Sequence, residues 1–282
     1  MPTVTVNGAT VAYSDTGAPK QKPDAPTVVF GHGLLFSKWM FNAQIAALRA
    51  DYRCIGVDWR GQGDTPPTES GYDMDTLSVD AIELIEHLVG GEAVHWVGLS
   101  MGGFVGQRIA ARRPELIRSL VLIDTSADPE TLSNAVQDRA LGNLYRYVGI
   151  APLRRSVEKV MFGPTFRRDP AKRAVIEDWI GQLKQNDRNG IRKAVVAVAG
   201  RRGVADEIGK ITAPTLVIVG ADDVPTPVKR SRRIAELIPG ARLEIVPYAG
   251  HSSTIEQPEA VTGLIRPFLA DVDATLVAPS AD

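Results

Sequence analysis

Ser100 stands in Gly98-Leu99-Ser100-Met101-Gly102, with a glycine two positions away on either side. This G-x-S-x-G pattern suits a nucleophile carried on a sharp turn from a strand into a helix. Such a turn strains the serine backbone, and side chains at the flanking glycines would collide across it. The following helix offers free N–H groups and the positive end of its dipole to an oxygen that gains negative charge. A serine hydroxyl needs a general base to attack near neutral pH. The chain has four histidines. His87 falls in a helical pattern, His95 lies inside the strand leading to Ser100, and His32 opens a glycine loop. His251 follows the last strand in Tyr248-Ala249-Gly250-His251-Ser252. A parallel sheet places its chemistry in loops of that kind, so His251 is the expected base.

The histidine needs an acid to fix its tautomer and stabilise its cation. Gly220-Ala221-Asp222-Asp223 follows the strand at residues 215–219, and spacing alone leaves both aspartates open. An oxyanion requires two converging backbone donors. One is expected from the Met101 N–H, just after the nucleophile. The other is expected from Leu34 in His32-Gly33-Leu34-Leu35, where Gly33 allows close approach.

These residues need a rigid frame. Thr3 to Val6 and Thr10 to Tyr13 flank Asn7-Gly8, which predicts an opening hairpin. Short β-branched and apolar runs recur at 27–30, 53–58, 94–99, 119–124, 215–219 and 242–246, and runs such as Val28-Val29-Phe30 and Leu216 to Val219 do not alternate with polar residues, as expected of strands covered on both faces. Helical spacing recurs at 40–50, 75–89, 101–113, 228–238 and 257–270. Alternation of this kind predicts a mostly parallel α/β sheet of eight strands with helices on both faces. Residues 127–212 break the alternation with helical patterns alone, so they are expected as an insertion. The core is then 1–126 and 213–270. Residues 271–282, rich in Ala, Asp and Pro, are expected as a flexible tail.

Composition narrows the function. The chain has 282 residues, with 44% hydrophobic and 23% charged, an ordinary globular balance. A net charge of −1 gives no global field for nucleic acid or anionic membrane. A single cysteine, Cys54, excludes an internal disulfide and a thiolate metal cluster. The N-terminus lacks a signal-peptide pattern, and no apolar run approaches the ~18 residues that span a bilayer. A soluble, cytoplasmic protein is expected, with no metal or organic cofactor.

Five segments together resemble an α/β-hydrolase of the small ester and lactone hydrolase group. They are Phe30-Gly31-His32-Gly33, Asp58-Trp59-Arg60-Gly61-Gln62-Gly63, the Ser100 segment, Pro214 to Gly220, and Gly250-His251. They occur in the family's order of Ser, Asp, His. The run from Val97 to Gln107 looks most like 3-oxoadipate enol-lactonases and related carboxylesterases. The resemblance implies that Asp223 is the acid, with Asp222 as runner-up, and that 127–212 is a helical lid. It implies hydrolysis of a small ester or lactone through an acyl-enzyme. Carbon–carbon bond hydrolases, perhydrolases and cofactor-free dioxygenases can share the same triad, and a non-catalytic binding protein can share the fold. Trp39, Phe41, Phe104, Leu144, Tyr145, Tyr147, Phe162 and Trp179 are candidates to line an apolar pocket.

Overall fold

The computed structural model describes residues 1–277. Asn7 and Gly8 both adopt left-handed φ values, 44° and 71°, which closes β1 (Thr3–Val6) onto β2 (Ala9–Asp15) as the twist of a hairpin demands. There follow β3 (Thr27–Gly31), α1 (Asn42–Leu48), β4 (Arg53–Val57), α2 (Met74–Val89), β5 (Val94–Leu99), α3 (Met101–Arg112) and β6 (Ile117–Ile123). Next come α4 (Leu132–Val148), α5 (Arg154–Met161), α6 (Pro164–Arg168), α7 (Arg173–Gln185) and α8 (Arg188–Ala199). The chain ends with β7 (Thr215–Gly220), α9 (Val228–Leu237), β8 (Arg242–Val246), α10 (Ser253–Glu256) and α11 (Pro258–Val277).

The eight strands form one sheet in the order β1-β2-β4-β3-β5-β6-β7-β8. The first two strands run antiparallel to their neighbours, and all pairs from β4 onward are parallel. This is the mostly parallel eight-stranded sheet that the sequence pattern predicts, and it agrees with the fold that the α/β-hydrolase resemblance implies. β3 is paired with β4 on one side and β5 on the other. The chain therefore leaves β3 and β5 in opposite directions, and a crevice opens beyond their C-terminal ends.

Alternate residues of the central strands feed two cores. Val29, Ile55 and Trp96 pack with α2 and α3 on one face. Val28, Phe30, Val97 and Leu99 pack on the other, where Phe162, Phe166, Ile176, Trp179 and Leu183 of the helical insertion join them. Helices α4 to α8 all lie between β6 and β7, and α4 packs along α8 through Ala135 and Gly142.

The tail differs from expectation. Helix α11 continues through Val277, and Asp273 in it is tied to the sheet, so 271–277 are not loose. Pro267 sits inside this helix without ending it. Residues 278–282 lie outside the described residues. No helix among the described residues is long and apolar enough to cross a membrane.

Candidate active site

Ser100 caps α3 with φ 49° and ψ −107°, a conformation that costs a non-glycine residue about 1–3 kcal/mol. Three bonds hold it. Its N–H donates to the Ile123 carbonyl at 2.8 Å, and its own carbonyl accepts from Thr125 Oγ1 and Phe104 N, each at 2.9 Å. The flanking glycines answer to contact. A Cβ on Gly98 would stand 2.3 Å from the Gly102 carbonyl oxygen, and one on Gly102 would stand 1.9 Å from that of Gly31.

His251 follows β8 and reaches back over the crevice. Its Nε2 lies 3.0 Å from Ser100 Oγ. Its Nδ1 lies 3.1 and 3.0 Å from the two carboxylate oxygens of Asp223. Asp223 is itself fixed, because Thr226 donates its N–H to one oxygen at 2.9 Å and its hydroxyl to the other at 2.8 Å. Asp222 is not in this line. Its N–H donates to the Ala249 carbonyl at 2.8 Å, which ties the acid loop to the histidine loop, and its side chain is half-buried away from the imidazole contacts. Burial depresses the His251 pKa, but Asp223 first, then Asp124 and Glu256, outweigh it, and the net displacement is upward.

The Leu34 and Met101 N–H groups donate to no acceptor among the described residues. The loop carrying Leu34 is held at every neighbouring peptide. His32 Nδ1 lies 2.7 Å from the Gly33 carbonyl, whose peptide contains the Leu34 N–H. Leu35, with φ 68°, gives its N–H to Gln62 Oε1 at 2.8 Å and takes the Trp179 indole N–H at 2.9 Å. His32 accepts the Trp59 N–H on Nε2 at 3.1 Å, so its Nδ1 carries the proton. Burial lowers its pKa to about 4, which keeps the ring neutral.

A family model described as alpha/beta hydrolase fold matches residues 26–258. The chain belongs to the alpha/beta hydrolase family. It is similar to 3-oxoadipate enol-lactonase 2 of Acinetobacter baylyi, 30% identical over 258 residues that cover 92% of each chain. A thermophilic esterase from Thermogutta terrifontis superposes with a TM-score of 0.86 at 28% identity, covering 96% of this chain and 98% of that one. The enol-lactonase from Burkholderia xenovorans LB400 gives 0.87 at 26% identity, covering 95% and 100%.

Two buried carboxyls of this alpha/beta hydrolase escaped sequence reasoning. Asp124, at the end of β6, accepts the Gly220 N–H at 2.8 Å and the Ser253 N–H at 3.2 Å. It thereby bridges the acid loop and the residues after His251. Burial, and then the charge of Asp223, raise its pKa well above the usual carboxylate range. Glu256 accepts three backbone N–H groups around His251. An acid closing an apolar strand was a signal for Asp124; Glu256 had none. Of the expected pocket residues, Phe162 and Trp179 meet Phe36 in one aromatic cluster, with centroids 5.2 to 6.1 Å apart. Leu144 and Tyr147 are exposed on the outer side of α4 and line nothing inside. A cavity of about 300 Å³ opens behind the Leu35 loop, between Phe36, Lys38, Trp39 and Trp179, but its walls include neither Ser100 nor His251.

Proposed function

We propose that this protein hydrolyses a small carboxylic ester or lactone through an acyl intermediate on Ser100. The observation that carries the reading is the line Ser100 Oγ, His251 Nε2, His251 Nδ1, Asp223, with each link between 3.0 and 3.1 Å. In this reading Ser100 Oγ attacks the substrate carbonyl carbon while Nε2 takes its proton. The resulting oxyanion is received by the Leu34 and Met101 N–H groups. One such donor is worth about 3 kcal/mol in the transition state. The tetrahedral species collapses as Nε2–H protonates the leaving alkoxide. A water, deprotonated by Nε2, then attacks the acyl group, and collapse returns the proton to Ser100 Oγ and releases the acid. With a lactone the alcohol stays tethered to the acyl chain.

Asp223 holds the ring in the tautomer that presents a bare Nε2 and stabilises the imidazolium formed in each half-reaction. The relatives named as an enol-lactonase and an esterase support the substrate class. A fluorophosphonate probe should label the folded protein on the peptide containing Ser100, and p-nitrophenyl acetate or a small lactone should compete. Labelling that persists at full extent in Ser100→Ala would overturn the assignment.

A further inference from the structure

Glu256 lies five residues beyond His251 and is 3% exposed. Its Oε2 accepts the Gly250 N–H at 3.0 Å and the Gly163 N–H at 2.9 Å. Its Oε1 accepts the Ser252 N–H at 3.2 Å. Gly250 and Ser252 are the two chain neighbours of His251. Gly163 belongs to the helical insertion, at the start of α6. One carboxylate therefore grips the backbone on both sides of the imidazole and fastens it to the insertion. A second tie runs parallel to it, from Ser252 Oγ to the Met161 carbonyl at 2.7 Å.

The two backbones are pressed together at this point. A Cβ on Gly250 would stand 2.3 Å from Gly163 N. A Cβ on Gly163 would stand 2.9 Å from both Glu256 Oε2 and Gly250 N. Gly163 has an ordinary φ of −63°, so contact rather than backbone freedom calls for glycine there.

No cation pairs with Glu256 among the described residues. His251 is the titratable group that faces it from its own loop, with Asp124 and Asp223 also acting on that ring. Lys38, on the packed turn at 38–41, gives its Nζ to Asp58 and Asp64. Arg167 of α6 turns its Nε to the Phe162 carbonyl. Glu259 at the start of α11 is exposed. Burial raises the Glu256 pKa, opposed by its three N–H donors and by His251. A buried charge held only by backbone dipoles is costly to keep, and hydrogen bonds to it are correspondingly strong.

We infer that Glu256 is a positioning residue that sets the placement of His251 and couples it to the helical insertion. The inference rests on the reading of His251 as the general base. Its consequence is that the insertion cannot lift from the histidine loop without breaking the Gly163 bond to Glu256 or dragging the imidazole with it.

The test compares wild type with Glu256→Gln and Gly163→Ala on p-nitrophenyl acetate, with Ser100→Ala and His251→Ala as controls. Glu256→Gln keeps the shape but loses the charge and one acceptor. It should lower kcat by about tenfold or more with a smaller change in KM. It should also move the acid limb of kcat/KM to lower pH, since one of the three carboxylates that raise the His251 pKa, after Asp223 and Asp124, has lost its charge. A structural defect alone would leave that limb in place, so a lower kcat with an unmoved limb overturns the inference, as does an unchanged kcat. Gly163→Ala leaves Glu256 intact and wedges the insertion away from it; kcat should fall by about threefold or more. Should Glu256→Gln fail to fold, a Gly163→Ala kcat equal to wild type overturns the inference by itself. Turnover that survives in Ser100→Ala or His251→Ala refutes the site reading instead, whatever the Glu256 variant does.

Discussion

Two Ser–His–Asp clusters occur among the described residues. Ser100, His251 and Asp223 meet at the C-terminal edge of the sheet. Ser119, His95 and Asp273 meet at the opposite end, with Ser119 Oγ 2.7 Å from His95 Nδ1 and Asp273 Oδ1 3.2 Å from His95 Nε2. Residue types and distances are nearly the same, and the surroundings are not. Ser100 and His251 are 6% and 5% exposed, whereas Ser119 and His95 are 0%. Ser100 sits on a left-handed turn at the head of a helix, beside two unengaged N–H groups. Ser119 sits within β6, and its neighbour in the ladder is His95 of β5. Asp273 also binds Arg118 Nε at 2.6 Å, and burial with the Asp273 charge pushes the Tyr52 pKa upward. The lower cluster anchors α11 under the sheet. Chemistry asks for access and for donors aimed at a developing oxyanion, and only the upper cluster has both.

Serine truncation should separate the two clusters most widely. Ser100→Ala should lower ester turnover by about a thousandfold or more, as loss of a triad nucleophile does. Ser119→Ala should stay within about twofold of wild type in turnover and lose about 1 kcal/mol of stability, because a buried imidazole nitrogen loses its partner. Steady-state rates on p-nitrophenyl acetate and urea melts measure both. A Ser119→Ala variant as inactive as Ser100→Ala would erase the distinction.

The acids sharpen the comparison at a smaller scale. Asp223→Asn should reduce kcat by about three to four orders of magnitude through the wrong tautomer. Asp223 is also the largest influence raising the His251 pKa. The wild-type acid limb of kcat/KM should therefore lie above the ordinary imidazole value of about 6.5, with activity lost as pH falls through it. In Asp223→Asn the residual activity should keep a limb displaced to lower pH. Asp273→Asn should leave both the limb and kcat in place while costing about 2 kcal/mol, since His95 and Arg118 lose a partly buried partner. A shift of the limb in the Asp273 variant would count against the structural role given to it.

Much of the frame was legible because the central strands are buried on both faces. That burial writes apolar runs such as Val28 to Phe30 and Leu216 to Val219 into the sequence, and each predicted strand from Thr27 to Val246 matches within two residues, although β8, Arg242 to Val246, alternates and is partly exposed. That Ser100 and His251 would meet was legible for a related reason, since each follows a strand beyond its C-terminal end. Asp223 and Asp222 could not be told apart by spacing, because adjacent residues in a turn point apart and the selecting contact is Thr226, three residues on. Glu256 was invisible because its partners are backbone N–H groups, present at every non-proline residue. Asp273 was hidden in a stretch whose Ala, Asp and Pro content resembles a tail, although Pro267 is accommodated inside α11. Two of the α4 candidates, Leu144 and Tyr147, misled because that helix packs by Ala135, Gly142 and Tyr145 and turns those two to solvent.

The smallest effect tests the backbone itself. At an unstrained position glycine is less stable than alanine by about 0.5–1 kcal/mol, because the unfolded chain gains freedom. Ser119 lies in a regular strand, so Ser119→Gly should be less stable than Ser119→Ala by about that amount. At position 100, with φ 49° and ψ −107°, alanine keeps the strain and glycine releases about 1–3 kcal/mol of it. The release exceeds the entropic cost, so the order should invert, with Ser100→Gly more stable than Ser100→Ala by about 1 kcal/mol. Both Ser100 variants lack the bond to His251, so the difference between them isolates the turn. Equal melting midpoints for the two would mean that the elbow carries no strain, and the contrast between the two serines would then rest on access and donors alone.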